Sequence, residues 1–223
     1  MKRLIYLGTI IGMIALVSCS KQDRSYYDHI KNGAIVYTGK AESLKAFSGN
    51  ERVVLNWVLT SDQNITGCKI YWNFGADSLV MAVKKSLKPD TIKVSVNNLP
   101  EGSYNFEVFT FDKEGHTSIA TEVIGNSYGL NFQSTLSNRP IRTSTKVTAT
   151  NSINITWVGR DDKCLGTEWS YTGKDQQQKR YFSAQGDTTL ISSCDLAKPV
   201  TYRTLFIPEM QAADTFYTAF KAL

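Results

Sequence analysis

The chain has 223 residues, with 25 basic and 20 acidic side chains and a formal net charge of +5. The charges are interspersed, and no basic run exceeds Lys84-Lys85, so the sequence excludes a nucleic-acid-binding tract and predicts an ordinary solvated surface.

Lys2 and Arg3 precede an apolar run from Leu4 to Val17, fourteen residues that fall short of the ~20 needed to cross a bilayer as a helix. A basic start, a short apolar run and a polar continuation make an export signal. The run closes on Leu16-Val17-Ser18-Cys19, which resembles the bacterial lipobox. That resemblance implies lipidation of the Cys19 thiol, cleavage ahead of it, and a membrane as partner through the lipid. Each buried methylene contributes ~0.8 kcal/mol, so several acyl chains on one residue hold a protein essentially permanently. Loss of residues 1–18 removes Lys2 and Arg3, leaving 23 basic against 20 acidic residues, a net charge of +3. Residues 19–36 lack periodicity and read as a lipidated tether. The expected location is the cell envelope, lipid-anchored, at the outer membrane. Ser20-Lys21-Gln22-Asp23 resembles an acidic surface-export signal, and the choice between periplasmic face and cell surface stays open.

Beyond the tether, short runs rich in Val, Ile, Thr and aromatics alternate with Gly, Asn, Asp and Pro, the pattern of an all-β sandwich. Strands are expected over Arg52 to Leu59, Cys68 to Trp72, Ser78 to Val83, Thr91 to Val96, Tyr104 to Phe111 and Thr117 to Val123. In the first, Val53, Leu55, Trp57 and Leu59 share one face, as a period of two requires. The pattern then recurs: "VVLNW" ends at Trp57 and "INITW" at Trp157, a spacing of 100. Tyr104 follows Trp57 by 47 residues and Tyr202 follows Trp157 by 45. Two copies of one fold are expected, over residues 37–126 and 127–223.

"NNLPEGSYNFEVFTFDKEGHTS", Asn97 to Ser118, resembles the end of a fibronectin type III domain, and "ITGCKIYW" resembles its strand C. The resemblance implies two tandem seven-strand sandwiches, the second divergent because it lacks the Gly and Ser of the F–G motif. "YTGKAESLKAFSGNERVVLNW", Tyr37 to Trp57, with "CKIYWNFGADS" and "NNLPEGSY", is similar to a family of Bacteroidetes lipoproteins with paired domains of this kind. Those proteins are often encoded near glycan-uptake systems. That likeness implies an envelope lipoprotein with no established activity. Some members continue into a lectin-like domain, which this sequence is expected to lack.

The residues do not assemble a catalytic or metal site. There are two histidines, His29 and His116, and Cys68, Cys164 and Cys194 show no ligand spacing, so neither a cofactor nor a metal is expected. Asp161-Asp162 is expected in the loop between the second and third strands of the second domain, where an adjacent pair reads as a turn with solvated charge rather than the opposed carboxylates of a glycosidase. Cys164 and Cys194 are expected at opposite poles of the second sandwich, too far apart for a disulfide, and all three thiols are expected free.

If Cys68, Ile70 and Trp72 point inward, Lys69 and Tyr71 point outward. If Tyr104, Phe106 and Val108 point inward, Phe109 and Phe111 point outward. Tyr71, Phe109 and Phe111 then share one outer face, the candidate surface for a glycan or an envelope protein partner, or for cover by the second sandwich or the tether. Two functions are open: a non-catalytic binding module, with glycans of a polysaccharide-uptake system as one ligand class, or a structural or assembly subunit that spaces or docks a protein partner at the cell surface.

Overall fold

A computed structural model describes residues 36–60, 62–159 and 161–223, so Cys19 and the segments expected to form the export signal and the tether through residue 35 lie outside the described residues. From Thr38 to Leu223 the chain forms one compact unit. It contains two sandwiches built to the same plan.

The first uses β1 (Glu42–Asn50), β2 (Arg52–Leu59), β3 (Ile65–Trp72), β4 (Asp77–Ala82), β5 (Asp90–Asn97), β6 (Gly102–Asp112) and β7 (Thr121–Tyr128). The strand order is β4-β3-β6-β7-β1-β2-β5. Every pairing is antiparallel except β1 with β7, where Gly49 and Asn50 lie beside Ser127 and Tyr128 in parallel. This short parallel seam joins a three-strand sheet, β5-β2-β1, to a four-strand sheet, β4-β3-β6-β7. The two sheets close over Val53, Leu55, Trp57, Cys68, Ile70, Phe106 and Val108, all fully buried.

After a one-and-a-half-turn helix, α1 (Leu130–Thr135), the second sandwich follows. One sheet holds β8 (Ile141–Val147), β9 (Ser152–Trp157) and β12 (Thr188–Ile191), ordered β12-β9-β8. The other holds β10 (Cys164–Thr172), β11 (Gln178–Ala184) and β13 (Val200–Phe206). Its last strand is broken into β14 (Phe216–Tyr217) and β15 (Lys221–Ala222), both paired with β13. The core is Ile153, Ile155, Trp157, Trp169 and Tyr202, with Trp169 stacked on Tyr202 at a ring-centre distance of 5.0 Å. Three strands facing four, twice in tandem, define an all-β, fibronectin type III-like architecture.

The two copies share fine detail. β3 breaks register against β6 at Ile65/Gly67 and β10 against β13 at Cys164/Gly166, each time just before a glycine. Such bulges re-aim the strand and leave room for a neighbouring side chain. In each copy, a tyrosine hydroxyl of the corresponding strand, β6 or β13, donates to a backbone carbonyl upstream, Tyr104 to Pro100 at 2.8 Å and Tyr202 to Arg139 at 3.0 Å.

Candidate functional site

Pairing of β3 with β6 sets Lys69 opposite Phe109, Tyr71 opposite Glu107 and Gly67 opposite Phe111. Because side chains alternate along a strand, the fully buried Cys68, Ile70, Phe106 and Val108 face the core, and Tyr71, Phe109 and Phe111 project together from the outer face. The Tyr71 and Phe109 rings meet edge to face, 5.9 Å between centres with their planes at 88°. Lys69 Nζ lies 4.5 Å from the centre of the Tyr71 ring. Phe111 seats over the bare backbone of Gly67, where a Cβ would collide with its ring. These side chains, with Gly115 and Thr117 of the β6–β7 hairpin, line a hollow of about 410 Å³.

The hairpin beside the hollow is held by Asp112. Its Oδ1 accepts the backbone N–H groups of Glu114 and His116, both at 2.9 Å, and its Oδ2 lies 2.8 Å from His116 Nδ1. The hydrogen bond to Asp112 raises the His116 pKa above its ordinary value, against a smaller opposing effect of desolvation. Asp112, Glu114 and His116 bring one potential ligand atom each within 4.8 Å of one another. Both Asp112 oxygens are already engaged, so the geometry is that of a turn clasp.

The remaining residues singled out in the sequence are placed as follows. Asp161 and Asp162 are exposed, and Asp161 Oδ1 accepts the Lys163 N–H at 2.8 Å, closing its own turn. Cys68, Cys164 and Cys194 are buried free thiols. Burial pushes the Cys68 thiol up to about 11. Cys164 opens β10, whereas Cys194 bridges to Gly173 just beyond its other end.

Two features went unread in the sequence. The first is the corresponding outer face of the second sandwich. There Arg203 lies over the rings of Tyr217, at 4.1 Å, and Phe220, at 5.0 Å, while its Nε donates to Glu168 at 2.5 Å. Arg180 also reaches Glu168, at 3.3 Å, and Phe182 stands 49% exposed beside them. Residues β14 and β15 are too short to show alternation, so this face has no signature in the sequence. The second is a clasp between the sandwiches, made by the segment 207–215 that links β13 to β14. Asp214 accepts two bonds from the Arg52 guanidinium, at 2.7 and 2.6 Å, and the Asn50 N–H at 2.9 Å. Ala213 N–H donates to the Ser48 carbonyl at 2.6 Å. Glu209 Oε1 accepts from Tyr128 Oη at 2.8 Å and from Asn126 Nδ2 at 2.5 Å. Phe132 sits between Tyr128 and Phe216, with ring centres 4.9 and 5.0 Å away. None of these contacts uses the Tyr71 face.

Fold and surface together define a tandem fibronectin type III-like protein with an aromatic outer face. Over residues 19–216 the chain belongs to the DUF4998 family, a domain of unknown function. No curated protein matches it. Among solved structures, the FN1–FN3 domains of chicken CNTN1 are similar over 83% of this chain, with 12% identity and a TM-score of 0.46, and this chain covers 65% of theirs. A two-domain fibronectin type III segment of chicken tenascin is similar over 82% of this chain and 99% of its own length, with 10% identity and a TM-score of 0.32.

Proposed function

We propose that this protein is a non-catalytic binding module of the bacterial cell envelope, tethered by lipid on Cys19, that captures glycans on the outer face of its first sandwich. The observation that supports this reading is the hollow built by Tyr71, Phe109 and Phe111. Rigid aromatic rings offer apolar faces to the C–H side of a sugar ring at little entropic cost, and the Lys69 ammonium supplies a donor at the rim for hydroxyls. The lipobox, and the likeness to Bacteroidetes lipoproteins encoded near glycan-uptake systems, support the location and the ligand class.

A glycan-array screen of the body from Ser20 onward tests the site, with Tyr71→Ala, Phe109→Ala and Phe111→Ala alongside. Binding lost in the three variants is the expected result; binding that survives all three would move the site elsewhere. Membrane fractionation of Cys19→Ser tests the tether, and a variant that still sediments with membranes would argue against it.

The alternative, a structural or assembly subunit, draws on the clasp between the sandwiches. Arg52 and Asp214 fix one half against the other, as a spacer requires. A stably co-purifying envelope protein, with no glycan bound, would favour that reading.

A further inference from the structure

The outer face of the second sandwich carries a hollow of about 420 Å³, lined by Glu168, Arg180, Phe182, Arg203 and Tyr217 among others. β10 lies between β11 and β13, and its pairing sets Glu168 opposite Phe182 on one side and Arg203 on the other. Trp169 is fully buried, so by alternation Glu168 points outward, and Phe182 and Arg203 point outward beside it.

The charges lining this hollow do not balance, because two guanidiniums face one carboxylate. Distances show how that carboxylate is shared. Arg203 Nε donates to Glu168 Oε2 at 2.5 Å, and its guanidinium is held over the rings of Tyr217 and Phe220. Arg180 Nη1 reaches Glu168 Oε1 only at 3.3 Å, longer than the roughly 2.7–2.9 Å of a good charge-assisted bond. Glu168 therefore chiefly neutralises Arg203, and Arg180 is the surplus cation. The Phe220 ring, 6.0 Å from the Arg180 guanidinium, lies at the limit of cation–π range and brings no charge. The Arg180 side chain is 67% exposed, so the donors that Glu168 leaves unused are open to solvent.

Phe182 stands beside Arg180 and is 49% exposed. The two are two positions apart on β11, hence on one face and about 7 Å apart along the strand. A cation and a bare aromatic ring at that spacing suit a ligand that joins an anion to an apolar ring face. An inorganic anion has no such face, and a neutral sugar has no anion.

We propose that this hollow is a second binding site, separate from the Tyr71 face, for the acidic residues of a uronate-containing glycan. The sugar carboxylate accepts from Arg180, whose planar fork matches it. The C–H face of the same ring packs on Phe182, and the Tyr217 hydroxyl bonds a ring hydroxyl at the rim. Arg203 and Glu168 are positioning residues that steady Arg180 from one end. The sugar class rests on the glycan reading of the Tyr71 face, whereas the requirement for an anion rests on this hollow.

The test is calorimetric titration of the full-length protein carrying Tyr71→Ala, which removes the first face, with trigalacturonate, maltotriose and inorganic phosphate. Saturable binding of trigalacturonate that weakens with added salt is expected, with no binding of maltotriose. Arg180→Gln removes the surplus charge and Phe182→Ala removes the ring. Both side chains are exposed, and an unchanged Tm confirms that the fold is kept. Each change is expected to weaken trigalacturonate by about tenfold or more, the scale of one charge-assisted bond. Absence of saturable trigalacturonate binding would overturn the proposal, as would unchanged affinity in Arg180→Gln. Maltotriose bound as tightly as trigalacturonate would overturn the anion requirement, and phosphate bound as tightly would overturn the sugar assignment. The glycan array on the parent and Tyr71→Ala reports the first face by itself, so the two readings fail separately.

Discussion

Gly67 and Gly166 occupy the same place in the two sandwiches, and each makes room for an aromatic side chain from a neighbouring strand. Over Gly67 sits Phe111 of β6, and beside Gly166 sits Phe182 of β11. A methyl group at 67 would strike the Phe111 ring and lie 2.8 Å from the Met81 carbonyl, which as backbone cannot yield. Gly67→Ala is therefore expected to cost about 1–3 kcal/mol by overpacking and to push Phe111 out of the hollow. Urea denaturation measures the first effect, and weakened binding in the glycan screen reports the second; unchanged stability would show that the strand can shift. At Gly166 the backbone adds a further obstacle, because its φ of +152° is a conformation side chains rarely adopt. Gly166→Ala should be the more damaging of the two.

Among the elements, the β6–β7 hairpin owes part of its stability to a titrating group. His116 has a raised pKa because Asp112 accepts from its ring, so the clasp is fully formed below the unfolded histidine value of about 6.5 and lost as pH rises through the higher folded value. An NMR titration should find one histidine above about 6.5, and Asp112→Asn should return it toward that value; an unshifted His116 in the parent would refute the clasp. This hairpin also marks where strand reading succeeds and where it stops. β2 is legible at both ends, Arg52–Leu59, because Val53, Leu55, Trp57 and Leu59 recur at a period of two and are all buried, although Val54 on the other face is buried as well. β7 is expected from Thr117 and begins at Thr121. Residues 117–120 instead meet β6 by single contacts: Thr117 bridges Phe111, and Ser118 exchanges bonds with Thr110. The strand then runs on through Asn126 and Ser127, whose polar side chains hide it from a hydrophobic pattern, although Ser127 is buried with its hydroxyl on the Leu99 carbonyl. Tyr71, Phe109 and Phe111 could be placed on one face because the period of two holds in β3 beyond the break at Gly67, and in β6 from Phe106 to Phe111. Arg180 could not be singled out, since the adjacent Tyr181 and Phe182 leave β11 without a readable period, and its partner Glu168 lies 12 positions away.

At the scale of the whole molecule, two cores that share no buried side chain are joined through the segment 207–215. The Arg52–Asp214 pair is half-exposed, so solvent screening holds its value toward the lower part of the range for charge-assisted bonds, about 1–2 kcal/mol. Its larger consequence is cooperativity: while the clasp holds, unfolding of either sandwich exposes the other's joining surface. Calorimetry of the parent at pH 7 should show one transition, and the double variant Asp214→Ala/Glu209→Ala should show two. A single transition in the double variant would mean that the aromatic contacts of Phe132 with Tyr128 and Phe216 couple the halves unaided. The pH dependence follows from Asp214, whose carboxyl is held below its ordinary value chiefly by the hydrogen bonds from Arg52. A depressed carboxylate contributes stability above the unfolded value of about 3.9 and loses it as pH falls through the lower folded value. The parent should thus keep its single transition at pH 5 and separate into two only in stronger acid. Asp214→Asn removes that acid step, and if the parent and Asp214→Asn uncouple at the same pH, the halves are joined by something other than this ion pair.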